Sequence, residues 1–125
     1  AITLEDHRYQ QAVKSVDFIK RFIFPGSFIP CVSVLVNSAA KAEMKLSNLE
    51  DIGTSYAQTL QIWRERFFDK LDQVRAMGYD ERFIRMWEFY LCYCEGGFIE
   101  RSISDVHLVF SKPGNRQPSW IPGRG

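Results

Sequence analysis

Tyr56, Thr59, Leu60 and Trp63 recur at a spacing that, at about 100° per residue, sets four side chains on one face of a helix. A phenol, a hydroxyl and an indole then share one wall with a leucine. Such a wall suits an apolar guest that still carries something polar. Two blocks of the same aromatic character flank it: Phe22-Ile23-Phe24-Pro25-Gly26 upstream and Arg85-Met86-Trp87-Glu88-Phe89-Tyr90-Leu91 downstream. Aromatic stripes at helical spacing more often pack a core than line a site, so the wall alone does not choose between the two.

Other reactive side chains form no recognisable constellation. His7 and His107 have no partner at metal-ligand spacing and read as surface or packing residues. Cys31, Cys92 and Cys94 are an odd number, and Cys92 and Cys94, two apart in a helical pattern, point about 200° from each other. They are expected to be reduced, buried thiols of a cytoplasmic protein rather than a disulfide or a metal clamp. The chain contains no G-x-G-x-x-G, no G-x-x-x-x-G-K-[ST] and no G-x-S-x-G, so neither a phosphate cradle nor a nucleophile elbow is visible.

The elements that must position the aromatic wall follow from periodicity. Ala1-Ile2-Thr3 reads as the tail of a strand cut in mid-course. Val13, Val16, Ile19 and Ile23 predict one amphipathic helix from about Tyr9 to just before Pro25-Gly26. Pro30 suits the first turn of a second helix through Val32, Leu35, Val36 and Ala39. Met44, Leu46 and Leu49 alternate weakly as a strand. Thr54 or Ser55 is positioned to cap the Tyr56 helix, which runs through Trp63 and Phe67 and continues, kinked, to Met77. Asp80 caps a long helix through Phe83, Ile84, Trp87, Tyr90, Leu91 and Cys94, closed by Gly96-Gly97 or one turn later. A last strand spans Asp105 to Phe110, and residues 113–125, rich in Pro and Gly, read as an irregular tail.

At 125 residues the chain is about one domain. With 16 basic and 15 acidic residues, interleaved, it lacks the clustered excess of cations that nucleic-acid binding needs. No apolar run approaches the roughly 20 residues of a membrane span, and no signal peptide opens the chain. Phe18, Ile19, Phe22, Ile23 and Phe24, beside Lys20 and Arg21, could lie on a bilayer surface or pack within the domain.

The order of these blocks is more specific than any one of them. Phe22-Ile-Phe-Pro-Gly26, Glu50-Asp-Ile-Gly53 followed by Tyr56-Ala-x-Thr-Leu60-x-x-Trp-Arg64, then Phe83-x-Arg-Met-Trp-Glu-Phe-Tyr-Leu91, Cys94-Glu-Gly-Gly-Phe98 and Val109-Phe110 together resemble the C-terminal part of cyclopropane-fatty-acyl-phospholipid synthases. The resemblance runs nearly to Lys112. It implies an α/β fold, the C-terminal part of a Rossmann-type methyltransferase over residues 1–112, mostly helical with two or three strands.

What the resemblance implies for chemistry is concrete. The family uses S-adenosylmethionine to turn a cis double bond of a phospholipid acyl chain into a cyclopropane. A methyl carbon adds to the alkene, leaving a cation, and a base removes a proton so that the ring closes. The site must therefore stabilise a cation in an apolar tunnel and keep a base there away from water. Aromatic faces serve the cation through their quadrupoles. The base in this family is thought to be a bound bicarbonate. By position Tyr56 looks like its tyrosine ligand, with a neutral phenol able to donate, and Ile2 looks like the contributor of a backbone group. Trp63, Phe22 and Phe24 are placed by the same likeness near the acyl tunnel. The Glu, His and Cys ligands, and the glycine-rich S-adenosylmethionine loop, would fall before residue 1, so His7 does not take the histidine's place. Ser55 stands where many relatives carry another polar residue, commonly His.

The expectation is thus a piece of a larger enzyme, inactive alone, cytoplasmic and peripheral to the membrane, with phospholipid acyl chains as partners and a tendency to self-associate. A non-catalytic lipid- or partner-binding module derived from that fold is the alternative, and a methyltransferase of the same fold acting on another lipid is a third.

Overall fold

The computed structural model describes residues 1–116, so the stretch of the expected tail from 117 to 125 lies outside the described residues. Strands β1 (Ile2–Leu4), β2 (Lys45–Asp51) and β3 (Ile103–Ser111) form a sheet in the order β1-β3-β2, with β3 antiparallel to both neighbours. The two outer strands consequently run parallel to each other. Chain between them forms α1 (Asp6–Lys14), a single π-helical turn (Ile19–Ile23) and α2 (Val32–Lys41). Between β2 and β3 come α3 (Gly53–Phe68), the short α4 (Leu71–Ala76) and α5 (Glu81–Ile99).

The single helix expected from Tyr9 to Ile23 is instead two pieces. Ser15 takes an extended conformation at the end of α1, and Asp17 restarts the chain by accepting the Lys20 amide at 2.9 Å. Small polar residues of this kind bond the local backbone and so interrupt helices. The π turn closes with the Phe24 amide on the Ile19 carbonyl at 2.8 Å. The second helix also begins later than expected, because Pro30 gives its carbonyl to the Leu4 amide at 2.9 Å and is held beside β1 rather than in the helix.

Neither Thr54 nor Ser55 caps the Tyr56 helix. It starts earlier, at Gly53, whose amide is taken by the Asp51 carboxylate at 2.9 Å. A side chain on Gly53 would run into Ser104, so the turn from β2 into α3 needs the missing Cβ. The kink expected beyond Phe67 is a full break, after which α4 ends at Ala76 with Met77 as its C-cap and Gly78 turns with φ 93°. Asp80 caps α5 as expected, accepting the Phe83 amide at 2.9 Å, and that helix runs through Gly96-Gly97 to close after Ile99, the later of the two expected ends.

The core sits where α3 and α5 pack on each other and on β3: Leu60, Leu91 and Phe98 are buried together, with Ile2, Tyr56, Trp87, Tyr90 and Ile103 against them. Burying each such side chain is worth about 1.5–3 kcal/mol. The pair Arg64–Glu95, 3.1 Å apart and half-buried, pins α3 to α5 beside this cluster.

Candidate functional site: the Tyr56 wall

The face expected on α3 exists. Tyr56 is half-buried, its ring 4.9 Å from that of Phe98 and 6.0 Å, edge to face, from that of Trp63. Ile2 joins the same cluster from β1. Register explains how: Ile2 lies opposite Asp105, and both stand on the sheet face that α3 and α5 cover.

The backbone of Ile2 is free of β3. Ala1 and Val106 exchange both backbone bonds, at 2.8 and 2.9 Å, and in an antiparallel ladder the next pair along exchanges none. Consistently, the Asp105 carbonyl turns the other way and accepts from the Ile52 amide at 2.8 Å. An amide and a carbonyl at Ile2 are therefore available on the outer edge of β1, on a residue of the cluster that Tyr56 joins. The Tyr56 hydroxyl makes no hydrogen bond among the described residues, and no sealed side-chain polar atom among them lacks a partner, so this hydroxyl reaches open space.

Three further groups shape the electrostatics. Burial, then the Asp105 carboxylate, then Cys94 hold the Tyr56 phenol above its ordinary value of 10.0, so it stays protonated through neutral pH. Tyr90 is raised in the same way, first by burial and then by Cys94 and Tyr56. Burial pushes the Cys94 thiol up to about 11, against the lowering effect of its hydrogen bond with Tyr90. Tyr90 and Cys94 are four residues apart on α5, so their shared face could have been read from spacing. Asp105 could not, because its place beside Tyr56 depends on the β1–β3 register. The three thiols are free but not all buried: Cys31 is buried, Cys94 half-buried and Cys92 exposed. Cys92 sits on the outer side of α5, as the rotation between positions two apart requires.

The remaining candidates sit at increasing distance from this centre. Phe24 packs edge to face on Tyr90 at 6.2 Å, one ring removed from the cluster. Phe22 belongs to a separate aromatic patch with Phe18, which in turn meets Phe89 and Tyr93. His7 and His107 lie exposed beside Glu5 and Glu50, each at 3.7 Å. Among the described residues no group of His, Cys, Asp and Glu is arranged to hold a metal ion.

The sequence and the fold that carry this wall are shared with known proteins. The family model for mycolic acid cyclopropane synthetase matches residues 1–108. The chain belongs to this family. Over 99 residues it is 35% identical to a tuberculostearic acid methyltransferase of Mycobacterium tuberculosis, covering 78% of this chain and 23% of that protein. Over 95 residues it is 34% identical to the cyclopropane-fatty-acyl-phospholipid synthase of Escherichia coli, covering 76% and 24%. The chain thus spans about a quarter of the length of these relatives. Its fold matches a solved cyclopropane synthase of M. tuberculosis with a TM-score of 0.78 at 24% identity, over 90% of this chain and 42% of that one. A mycolic acid cyclopropane synthase solved with SAH and CTAB matches at 0.73 and 21%, over 87% of this chain and 41% of that one. The chain thus has the fold of part of the α/β methyltransferase domain of these cyclopropane synthases.

Proposed function

We propose that this chain is the C-terminal, lipid-facing portion of an S-adenosylmethionine-dependent lipid methyltransferase that converts a cis double bond of a phospholipid acyl chain into a cyclopropane. Membership of the synthetase family, together with the packing of Tyr56 and Ile2 in one cluster, carries the reading. The SAH held by one structural neighbour supports S-adenosylmethionine as the methyl donor. The described residues offer no glycine-rich turn to hold that donor.

Bicarbonate fits what the chain presents: the Tyr56 phenol and the Ile2 amide are free donors on residues of one cluster, which is the chemistry a small oxyanion needs. When bound, it would supply the base that takes the proton lost on ring closure. Tyr56 would hold that base by donating its hydroxyl hydrogen, and burial keeps the hydrogen in place. Trp63 and Phe24, both about half exposed, would exclude water and offer ring faces to the cationic reacting carbon, with Phe98 buried behind Tyr56. Phe22, with its neighbours Phe18 and Phe89, would meet the acyl chain nearer the membrane surface. No helix among the described residues is long and apolar enough to cross a membrane.

A second reading has its own support, because one of the relatives at 35% identity is a methyltransferase of tuberculostearic acid. There the added carbon would end as a branch rather than a ring. Product analysis separates the two. The full-length protein carrying this chain, expressed in a host rich in unsaturated phospholipids and without cyclopropanes, should yield acyl chains one methylene heavier that contain the ring. Branched chains would favour the second reading, and unaltered lipids would contradict both.

A further inference from the structure

None of residues 5–30 is buried, a run that leaves the sheet after Leu4 and returns to it at Cys31. Its two ends are pinned side by side: the Leu4 amide donates to the Pro30 carbonyl at 2.9 Å, and Leu4 and Cys31 form an isolated parallel bridge. The run is thus a loop with a single root, and its body holds α1 and the π-helical turn.

That body is tied mainly to itself. The Lys20 ammonium joins the Ala12 and Ser15 carbonyls to the Phe28 ring, and Tyr9 packs edge to face on Phe28 at 5.3 Å. Past the root, the hydrogen bond that leaves it among the described residues runs from the Ser33 amide to the Asp6 carboxylate at 3.2 Å, close to the root again. Over α5 it rests on aromatic rings: Phe18 meets Phe89 at 4.6 Å and Tyr93 at 6.2 Å, and Phe24 meets Tyr90 at 6.2 Å.

Space undercuts the loop at both ends. A cavity of about 50 Å3 lies between Leu4, Lys20 and Phe28. Glu5 and Asp6 border a second, polar cavity of about 510 Å3 beyond Phe98, into which the Thr3 hydroxyl opens. Close packing is what fixes an element on its neighbours, and segments with few buried apolar contacts open first. The charge of Asp17 reaches the Tyr93 phenol and the Cys94 thiol, so the middle of the loop stands over this face of α5. Tyr90 and Cys94 in turn pack on the cluster that contains Tyr56. The covered face therefore leads to the Tyr56 wall.

We propose that residues 5–30 are a strap that lifts from α5 about its single root to admit an acyl chain to the Tyr56 wall, with Phe18 as the catch and Lys20 keeping the strap in one piece. The inference rests on the lipid-methyltransferase reading above. Its readouts are thiol labelling and ligand entry, so it fails or stands separately from ring formation.

The chain carries its own reporters. Cys94 lies on the covered side of α5, Cys31 is buried at the root with 2% of its surface exposed, and Cys92 is exposed throughout. A lift uncovers Cys94 and leaves Cys31 protected, whereas general loosening uncovers both. The full-length protein is treated with N-ethylmaleimide and each thiol is followed by peptide mass spectrometry. In the wild type Cys94 should react ahead of Cys31, with little dependence on urea below the unfolding transition, because a lift exposes little surface. Phe18→Ala and Phe89→Ala remove the catch from opposite sides. Each should speed Cys94 about tenfold without changing Cys31. Association of cis-parinaric acid, a fluorescent unsaturated acyl chain, should speed by the same factor in stopped-flow measurements, since entry follows the lifted population. Cys94 and Cys31 accelerating together, an unchanged Cys94 rate in both variants, or an unchanged association rate where Cys94 labelling is faster would overturn the proposal. A wild type that lifts and takes up the probe but forms no ring would leave the strap standing and count against the reaction alone.

Discussion

At the residue scale the account rests on Tyr56, whose environment keeps a neutral donor beside free backbone groups. Replacing it by Phe removes one oxygen from a half-buried site and leaves Phe98 and Trp63 in contact with the ring. Product formation by the full-length enzyme should fall by roughly two orders of magnitude, the scale of a lost electrostatic anchor, while S-adenosylmethionine affinity is unchanged. The thiols give an independent check. The Cys94 thiol titrates at about 11 in the folded chain against an ordinary 9.0, so the unfolded chain loses its proton first as pH rises. Stability from this group is complete below pH 9.0 and declines toward about 11. Urea midpoints should therefore drop over that interval, and less steeply in Cys94→Ala; parallel curves would remove the burial argument. At pH 8, iodoacetamide should modify exposed Cys92 ahead of Cys94 and Cys31, read by peptide mass spectrometry. The Tyr56 face was legible because i, i+3, i+4 and i+7 spacing is a local property. The approach of Asp105 and the open hydroxyl of Thr3 were not, since both arise from pairing residues about a hundred positions apart.

At the element scale, legibility tracked how much of each element's order is local. Asp80 and the apolar period behind it announce α5, and Asp80→Ala should cost about 1 kcal/mol in urea unfolding through loss of the cap. No loss would mean that the helix start is held by packing alone. The first helical region misled because Val13 and Val16, which set its apparent period, are both exposed, at 52% and 74%. Its break is stabilised from a distance in sequence: the Lys20 ammonium donates to the Ala12 and Ser15 carbonyls at 2.5 and 2.8 Å and lies over the Phe28 ring at 4.6 Å. Lys20 thus has intramolecular work at the C-terminus of α1, where a cation is favoured. Lys20→Met should destabilise the fold by about 1 kcal/mol. A variant as stable as wild type, but defective in vesicle binding, would return Lys20 to the bilayer surface.

At the scale of the whole molecule, the chain supplies a sheet end and a helical wall, about a quarter of the length of its curated relatives. The outer edge of β1 is unpaired by β3 at Ile2, and Phe22, Phe24, Phe89 and Trp63 are each about half exposed. Unpaired strand edges and clustered apolar surface promote association. The 125-residue chain alone should sediment as concentration-dependent oligomers; a monomer with a sharp thermal transition would contradict this. The α/β class and the family were legible from the order of separated blocks, which survives where single motifs are ambiguous. The polar cavity beyond Phe98 was not, because its lining comes from seven elements that no local pattern connects. The most direct test of the central claim, that Tyr56 and Ile2 hold the base of a cyclopropane synthase, is the bicarbonate dependence of ring formation by the full-length enzyme and its Tyr56→Phe variant. The account predicts a saturable rise in rate for wild type and a requirement for much more bicarbonate in the variant; identical dependence in the two would contradict it.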